Sequence, residues 1–114
     1  MNRYKKYKNR KVYISDEKFD SEKEARRYKD LLTLQKAGVI SGLRRQVKYV
    51  LIPTQHKDGK TVRECSYYAD FVYTWHGETI VEDVKGYKGG EAYALFTIKK
   101  KLMLYVHGIE IKEV

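Results

Sequence analysis

Two stretches of the chain carry apolar residues at helical spacing, and most of the rest alternate or run together as strands do. In residues 19–38, FDSEKEARRYKDLLTLQKAG, Ala25, Tyr28, Leu31 and Leu32 fall on one face at about 100° per residue. Arg26, Arg27, Lys29 and Asp30 take the outward face. Ser21 followed by Glu24 is a capping-box pattern, Phe19 is placed as a staple, and Gly38 supplies a stop. The second helical stretch, YALFTIKKKLMLYVHG, puts Leu95, Ile98, Leu102, Tyr105 and Val106 on one face and ends at Gly108. Strand patterns lie around these helices. LRRQVKYVLIP ends at Pro53, CSYYADFVYTW and ETIVEDVKG are joined by a tight His-Gly connection, and IEIKEV is a short last strand with Ile109, Ile111 and Val114 inward. TQHKDGKTVRE reads as a polar loop or hairpin tip with Asp58-Gly59 as its turn, and VYI as a short strand or extended piece.

The order helix, three strands, helix, strand predicts an α/β (α+β) fold, a central mixed sheet flanked by helices. At 114 residues, one domain spanning 1–114 is expected, with 1–13 as a basic arm.

Charge changes the picture. Lys and Arg outnumber Asp and Glu by 24 to 15, a formal net charge of +9 that favours a polyanionic partner, nucleic acid before an acidic membrane. Arg3, Lys5, Lys6, Lys8, Arg10 and Lys11 precede the first acidic residue and are interleaved with Tyr4 and Tyr7. An arm lying along a phosphate backbone and a solvated tail both fit that pattern. The 11 tyrosines against 3 phenylalanines suit half-wet core walls and base stacking alike. Cys65 is alone, so no intramolecular disulfide is expected and a reducing, cytoplasmic compartment is. No apolar run follows the basic start and none reaches the length of a membrane span. His56, His76 and His107 have no zinc-ligand spacing.

Alternation puts Tyr68, Asp70 and Val72 on one face of the second strand, and Ala69, Phe71 and Tyr73 on the other. In the third strand Val81, Asp83 and Lys85 share a face opposite Ile80, Glu82 and Val84. A hairpin brings Asp70 and Asp83 onto neighbouring strands, with Asp83 and Lys85 about 7 Å apart along one face. An isolated Asp-x-Lys is a surface ion pair worth under ~1 kcal/mol. Asp70, inside an apolar run, argues for more, because charges buried together need partners or a metal. Glu24 lies within the apolar stripe of the first helix, so both a capping role and a place beside the carboxylates stay open. Asp70, Asp83, Glu24 and the carbonyl of Val84 are hard oxygen donors suited to Mg²⁺ or Mn²⁺. Lys85 would orient a water and meet developing charge on a phosphodiester.

With Glu24 on the preceding helix, Asp70, and then Asp83-Val84-Lys85, the chain resembles the PD-(D/E)XK nucleases. KFDSEKEARRY, YYADFVY, VEDVKG and GIEIKEV are similar to a family of small phage-encoded proteins placed in that superfamily. Ala69 stands where the motif has proline, a commonly variable position. The resemblance implies a restriction-endonuclease-like core and Mg²⁺- or Mn²⁺-dependent cleavage of DNA. Glu24, Asp70, Asp83 and Lys85 would be catalytic, the three acids with Val84 would hold metal, and Gln46 would be a supporting polar group. Lys88 in the glycine-rich GYKGG loop and Lys99 on the last helix join the arm as expected DNA contacts; Lys100 and Lys101 are expected to be solvated. Short, basic resolvases of the superfamily cut Holliday junctions as dimers, which implies branched DNA and a homodimer here. An accessory DNA-binding protein of the same fold, serving phage recombination or packaging, is the alternative.

Overall fold

The computed structural model describes residues 11–14 and 17–114. An antiparallel hairpin of β1 (Val12–Ile14) and β2 (Glu17–Phe19) leads into helix α1 (Glu22–Lys36). Strand β3 (Ser41–Ile52) follows, then a small hairpin of β4 (Gln55–Lys57) and β5 (Lys60–Val62). Strands β6 (Cys65–Trp75) and β7 (Glu78–Asp83), helix α2 (Gly90–His107) and strand β8 (Lys112–Glu113) complete the chain. Residues 12 and 13 therefore belong to a strand and not to an arm. The β1–β2 pairing was not anticipated, because three-residue strands are too short to show a period.

The central sheet has the order β3-β6-β7-β8, antiparallel except for the parallel β7–β8 pair. A parallel neighbour needs a crossover, and α2 provides it. Between β6 and β7 the turn is His76-Gly77, with φ of 49° and 78°, the left-handed pair a two-residue hairpin turn requires. Each face of the sheet carries its own core. Phe19, Ala25, Leu31, Ile40, Phe71 and Tyr73 pack on the α1 side. Tyr67, Ala69, Val72, Val81, Phe96 and Met103 pack on the α2 side. Phe71 is fully buried, and truncating such a residue to alanine costs about 3–5 kcal/mol. The sheet thus lies between two helical layers, the mixed α+β architecture expected.

At the start of α1, Ser21 Oγ accepts a 3.1 Å hydrogen bond from the Glu24 N–H, and Gly38 follows the end with φ 81°. Three expectations about faces are corrected. Leu32 is exposed, because Ala25, Tyr28 and Leu31 already fill the space over the sheet. Arg27 turns inward to a buried carboxylate. On α2 the sheet takes Phe96 and Met103, leaving Leu95 (53 % exposed), Ile98 (55 %), Tyr105 (88 %) and Val106 (44 %) outside. That helix is apolar on several sides, so its period could not choose among them.

Candidate functional site

The site forms where β7 ends beside the middle of β6, which is paired on its other side with the middle of β3. In the β6–β7 ladder Phe71 faces Glu82, so the next positions in register are Asp70 and Asp83. In the β3–β6 ladder Arg45 faces Phe71 and Val47 faces Ala69, which brings Gln46 beside Asp70. Gln46 has φ 49°, a left-handed conformation that interrupts the pleat while the ladder keeps its register on both sides. Beyond this point the alternation of β6 changes hand. Tyr67 and Ala69 pack on the α2 side, yet Phe71 packs on the α1 side and Val72 on the α2 side. Strict alternation had placed Phe71 with Ala69 and is corrected here. Asp70 sits at the break.

Asp70 Oδ2 accepts the Val84 N–H at 2.8 Å and Oδ1 accepts Gln46 Nε2 at 3.2 Å. Asp83 is buried. Its Oδ1 accepts the Tyr67 hydroxyl at 2.7 Å, and its Oδ2 lies 2.8 Å from Lys85 Nζ. Lys85 Nζ also lies 3.4 Å from the centre of the Phe96 ring, a cation–π contact that fixes the ammonium from its other side. The backbone there is pinned as well. Lys85 N–H donates to Val114 O at 2.8 Å, Val114 N–H donates to Asp83 O at 3.0 Å, and the Lys23 ammonium donates to Lys85 O.

Glu24, also buried, uses its backbone for the helix cap and its side chain for the site. Its Oε2 accepts Gln46 Nε2 and Arg45 Nη2, both at 3.4 Å. The side chain thus lies beside the carboxylates, and the helix cap uses only the backbone N–H that any residue at this position offers. Arg45 lies 3.8 Å above the Phe19 ring and pairs with Glu17 at 2.9 Å.

Burial, reinforced by the charge of Asp83, pushes the Asp70 carboxyl up to about 7. Burial also raises Glu24, against the pull of Arg45. The Tyr67 hydroxyl is raised by burial and by Asp83, so it stays a donor. Close carboxylates in a strongly basic chain are thus kept under mutual repulsion, an arrangement a divalent cation relieves.

Among the described residues no group of three or more His, Cys, Asp or Glu side chains is gathered as a metal cage. Mg²⁺ does not require one: it binds through one or two carboxylates, waters and substrate phosphate. Asp70 and Asp83 would be the carboxylates of such a set, with Val84 between Asp83 and Lys85.

The remaining expected residues have separate fates. Arg3, Lys5, Lys6, Lys8 and Arg10 lie outside the described residues, and Lys11 precedes β1, 3.7 Å from Asp20. Lys99 lines the same groove as Asp83 and Lys85, a space of about 290 Å³ walled by Tyr68 and Leu95. Lys88 and Lys100 both approach Glu113, at 3.6 and 2.7 Å; Lys100 is therefore paired, not solvated as expected. After Lys85, Gly90 opens α2 with φ 76°, and a Cβ on Gly89 would come within 2.8 Å of the Tyr87 ring. Glu82 turns to the opposite face, as alternation required. There it is fully buried, bonded by Arg27 at 2.8 and 2.6 Å and by the Tyr73 hydroxyl.

Tyr67 and Arg45 were not anticipated. Tyr67 shares a face with Ala69, opposite the face that alternation gives Asp70, and the change of hand hid its bond to Asp83. Arg45 had a readable signal: it interrupts the inward series Leu43, Val47, Tyr49 and Leu51.

Fold and site together define a mixed α+β protein with buried and half-buried carboxylates and a lysine gathered where β7 ends beside β6. Residues 4–112 match the family described as "Protein of unknown function (DUF1064)", and the chain belongs to that family. No curated protein and no solved structure matches it. Among the described residues no helix is long and apolar enough to cross a membrane.

Proposed function

We infer that this protein is a metal-dependent endonuclease of the PD-(D/E)XK type, hydrolysing phosphodiester bonds in DNA, with branched DNA such as a four-way junction as its first substrate class. The observation that carries this reading is the arrangement around Asp83. Its carboxylate is held between Tyr67 and Lys85, in register with Asp70 on the adjacent strand, beside an open groove. A purely structural ion pair needs neither a second carboxylate on the adjacent strand nor a groove beside it.

Asp70 and Asp83, with the Val84 carbonyl, would hold Mg²⁺ or Mn²⁺, and Glu24 would act from behind through Gln46. A bound ion would polarise a phosphoryl oxygen and lower the pKa of an attacking water. Lys85 Nζ is positioned by Asp83 and Phe96 to orient that water and to meet charge building on the phosphoryl oxygens. Lys99 lines the groove where a neighbouring phosphate would lie, and the net charge of +9 draws the polyanion in.

The test incubates the protein with linear, nicked and four-way-junction DNA in Mg²⁺, Mn²⁺ or EDTA, beside Asp83→Ala and Lys85→Ala. Cleavage that needs the metal and disappears in both variants is expected. Cleavage persisting in EDTA or in Asp83→Ala overturns the reading, and tight binding without cleavage replaces it with an accessory DNA-binding role.

A further inference from the structure

The β4–β5 hairpin has no evident place in the fold. Its pairs, Gln55 with Val62, His56 with Thr61 and Lys57 with Lys60, continue the register in which Ile52 faces Cys65. It is therefore the outer end of the β3–β6 ribbon, interrupted around Pro53-Thr54 and Arg63-Glu64. Every residue from 52 to 63 is exposed. Asp58-Gly59 turns the tip with φ of 51° and 75°, the left-handed pair that makes a tight two-residue turn. A two-stranded ribbon on its own is marginal in water.

Its charges sharpen the point. Lys57 and Lys60 face each other directly across the last rung, where like charges repel. Arg63 adds a third cation, against the single carboxylate of Asp58, since Glu64 is taken by Lys48 at 2.5 Å. A bare, basic ribbon of this width matches the major groove of B-DNA, which is about 12 Å wide and admits two strands. The deep, narrow major groove of A-form RNA does not admit them. From Asp70 to Lys60 the ribbon is ten residues long, on the order of 30 Å at strand rise, close to one turn of B-DNA.

We propose that the β4–β5 hairpin enters the major groove of a duplex arm about one helical turn from the carboxylate cluster. The substrate then needs roughly 10 base pairs of continuous duplex on that side. The placement rests on the nuclease reading above; the groove contact itself does not.

The experiment measures binding in EDTA to DNA whose duplex arm is shortened stepwise from about 20 to about 6 base pairs. It uses the native protein and the triple variant Lys57→Ala, Lys60→Ala, Arg63→Ala. Native affinity is expected to fall at least about tenfold as the arm drops below roughly 10 base pairs, whereas the variant binds all lengths alike. The variant's slope of log K against log salt should be shallower by about 2 to 3, one for each lost phosphate contact. All three side chains are exposed, so an unchanged thermal melt serves as the folding control. An unchanged slope and affinity in a folded variant overturns the proposal, as does equal dependence on an RNA duplex arm. Cleavage of the same DNAs in Mg²⁺ is read separately. Its absence alone overturns the nuclease reading and leaves the hairpin result standing, and absence of any DNA binding overturns both.

Discussion

The Tyr67 hydroxyl donates a 2.7 Å hydrogen bond to Asp83 Oδ1, on the side of the carboxylate away from Lys85. The bond fixes how Asp83 presents its second oxygen. Tyr67→Phe keeps the ring that packs in the α2-side core and removes only this donor. Metal-dependent cleavage should fall about 10- to 100-fold, the usual effect of losing a group that orients a metal ligand. Stability should drop by about 1 to 3 kcal/mol. A Mg²⁺ titration of cleavage and a denaturant melt check the two effects. Unchanged activity and metal dependence would remove Tyr67 from the site.

Gln46 combines a left-handed backbone with a side chain that bridges Glu24 and Asp70. Glycine accepts that backbone freely. Gln46→Gly should therefore keep thermal stability within about 1 kcal/mol, while Gln46→Ala loses more. Both should lose cleavage activity, because both lose the bridge. Equal melting temperatures for the two would show that backbone strain is not what glutamine bears here.

Arg27 and Glu82 form a bidentate pair whose carboxylate is fully buried. Arg27→Ala leaves that charge with only the Tyr73 hydroxyl bonded to it and should cost about 3–5 kcal/mol. Arg27→Met with Glu82→Met removes both charges at similar volume and should recover most of the loss. Urea unfolding of the native protein, Arg27→Met, Glu82→Met and the double variant closes the cycle. A double variant no more stable than Arg27→Ala would contradict it.

Asp70 gives a pH dependence of defined sign in protein free of metal. Its folded carboxyl sits near 7 against an ordinary 3.8, so between those values the native state holds a proton that the unfolded chain has lost. The contribution of Asp70 to stability is thus fully present below about 3.8 and is lost as pH rises through about 7. Asp70→Asn lacks this term. The stability of the Asn variant relative to native should grow steadily between pH 4 and pH 7, as thermal melts in EDTA would record. A constant difference across that window would show that Asp70 is ionised throughout.

Element order, both helices and the pairing of Asp70 with Asp83 could all be read from the sequence. The signals were local: a cap at Ser21, stops at Gly38 and Gly108, and a two-residue turn at His76-Gly77. Glu82 facing away from Asp83 followed from period two, because β7 is regular up to its last residue. What failed depended on choices made between elements. Helix α2 offers several apolar sides, and only the sheet decides for Phe96 and Met103. The change of hand at Asp70 lies beside the left-handed Gln46 on a different strand, a feature that no reading of β6 by itself contains. Tyr67 was lost for the same reason.

That change of hand has a consequence for how the protein can fail. Glu24 belongs to the layer under α1, whereas Asp83 and Lys85 belong to the layer under α2. The site is a seam between two half-cores, stitched by Gln46 and Asp70. Loosening either half-core separates its partners even while the other stays packed. If the protein cleaves DNA as proposed, that activity is limited by the weaker of the two layers, and it should vanish on heating before the sheet itself comes apart.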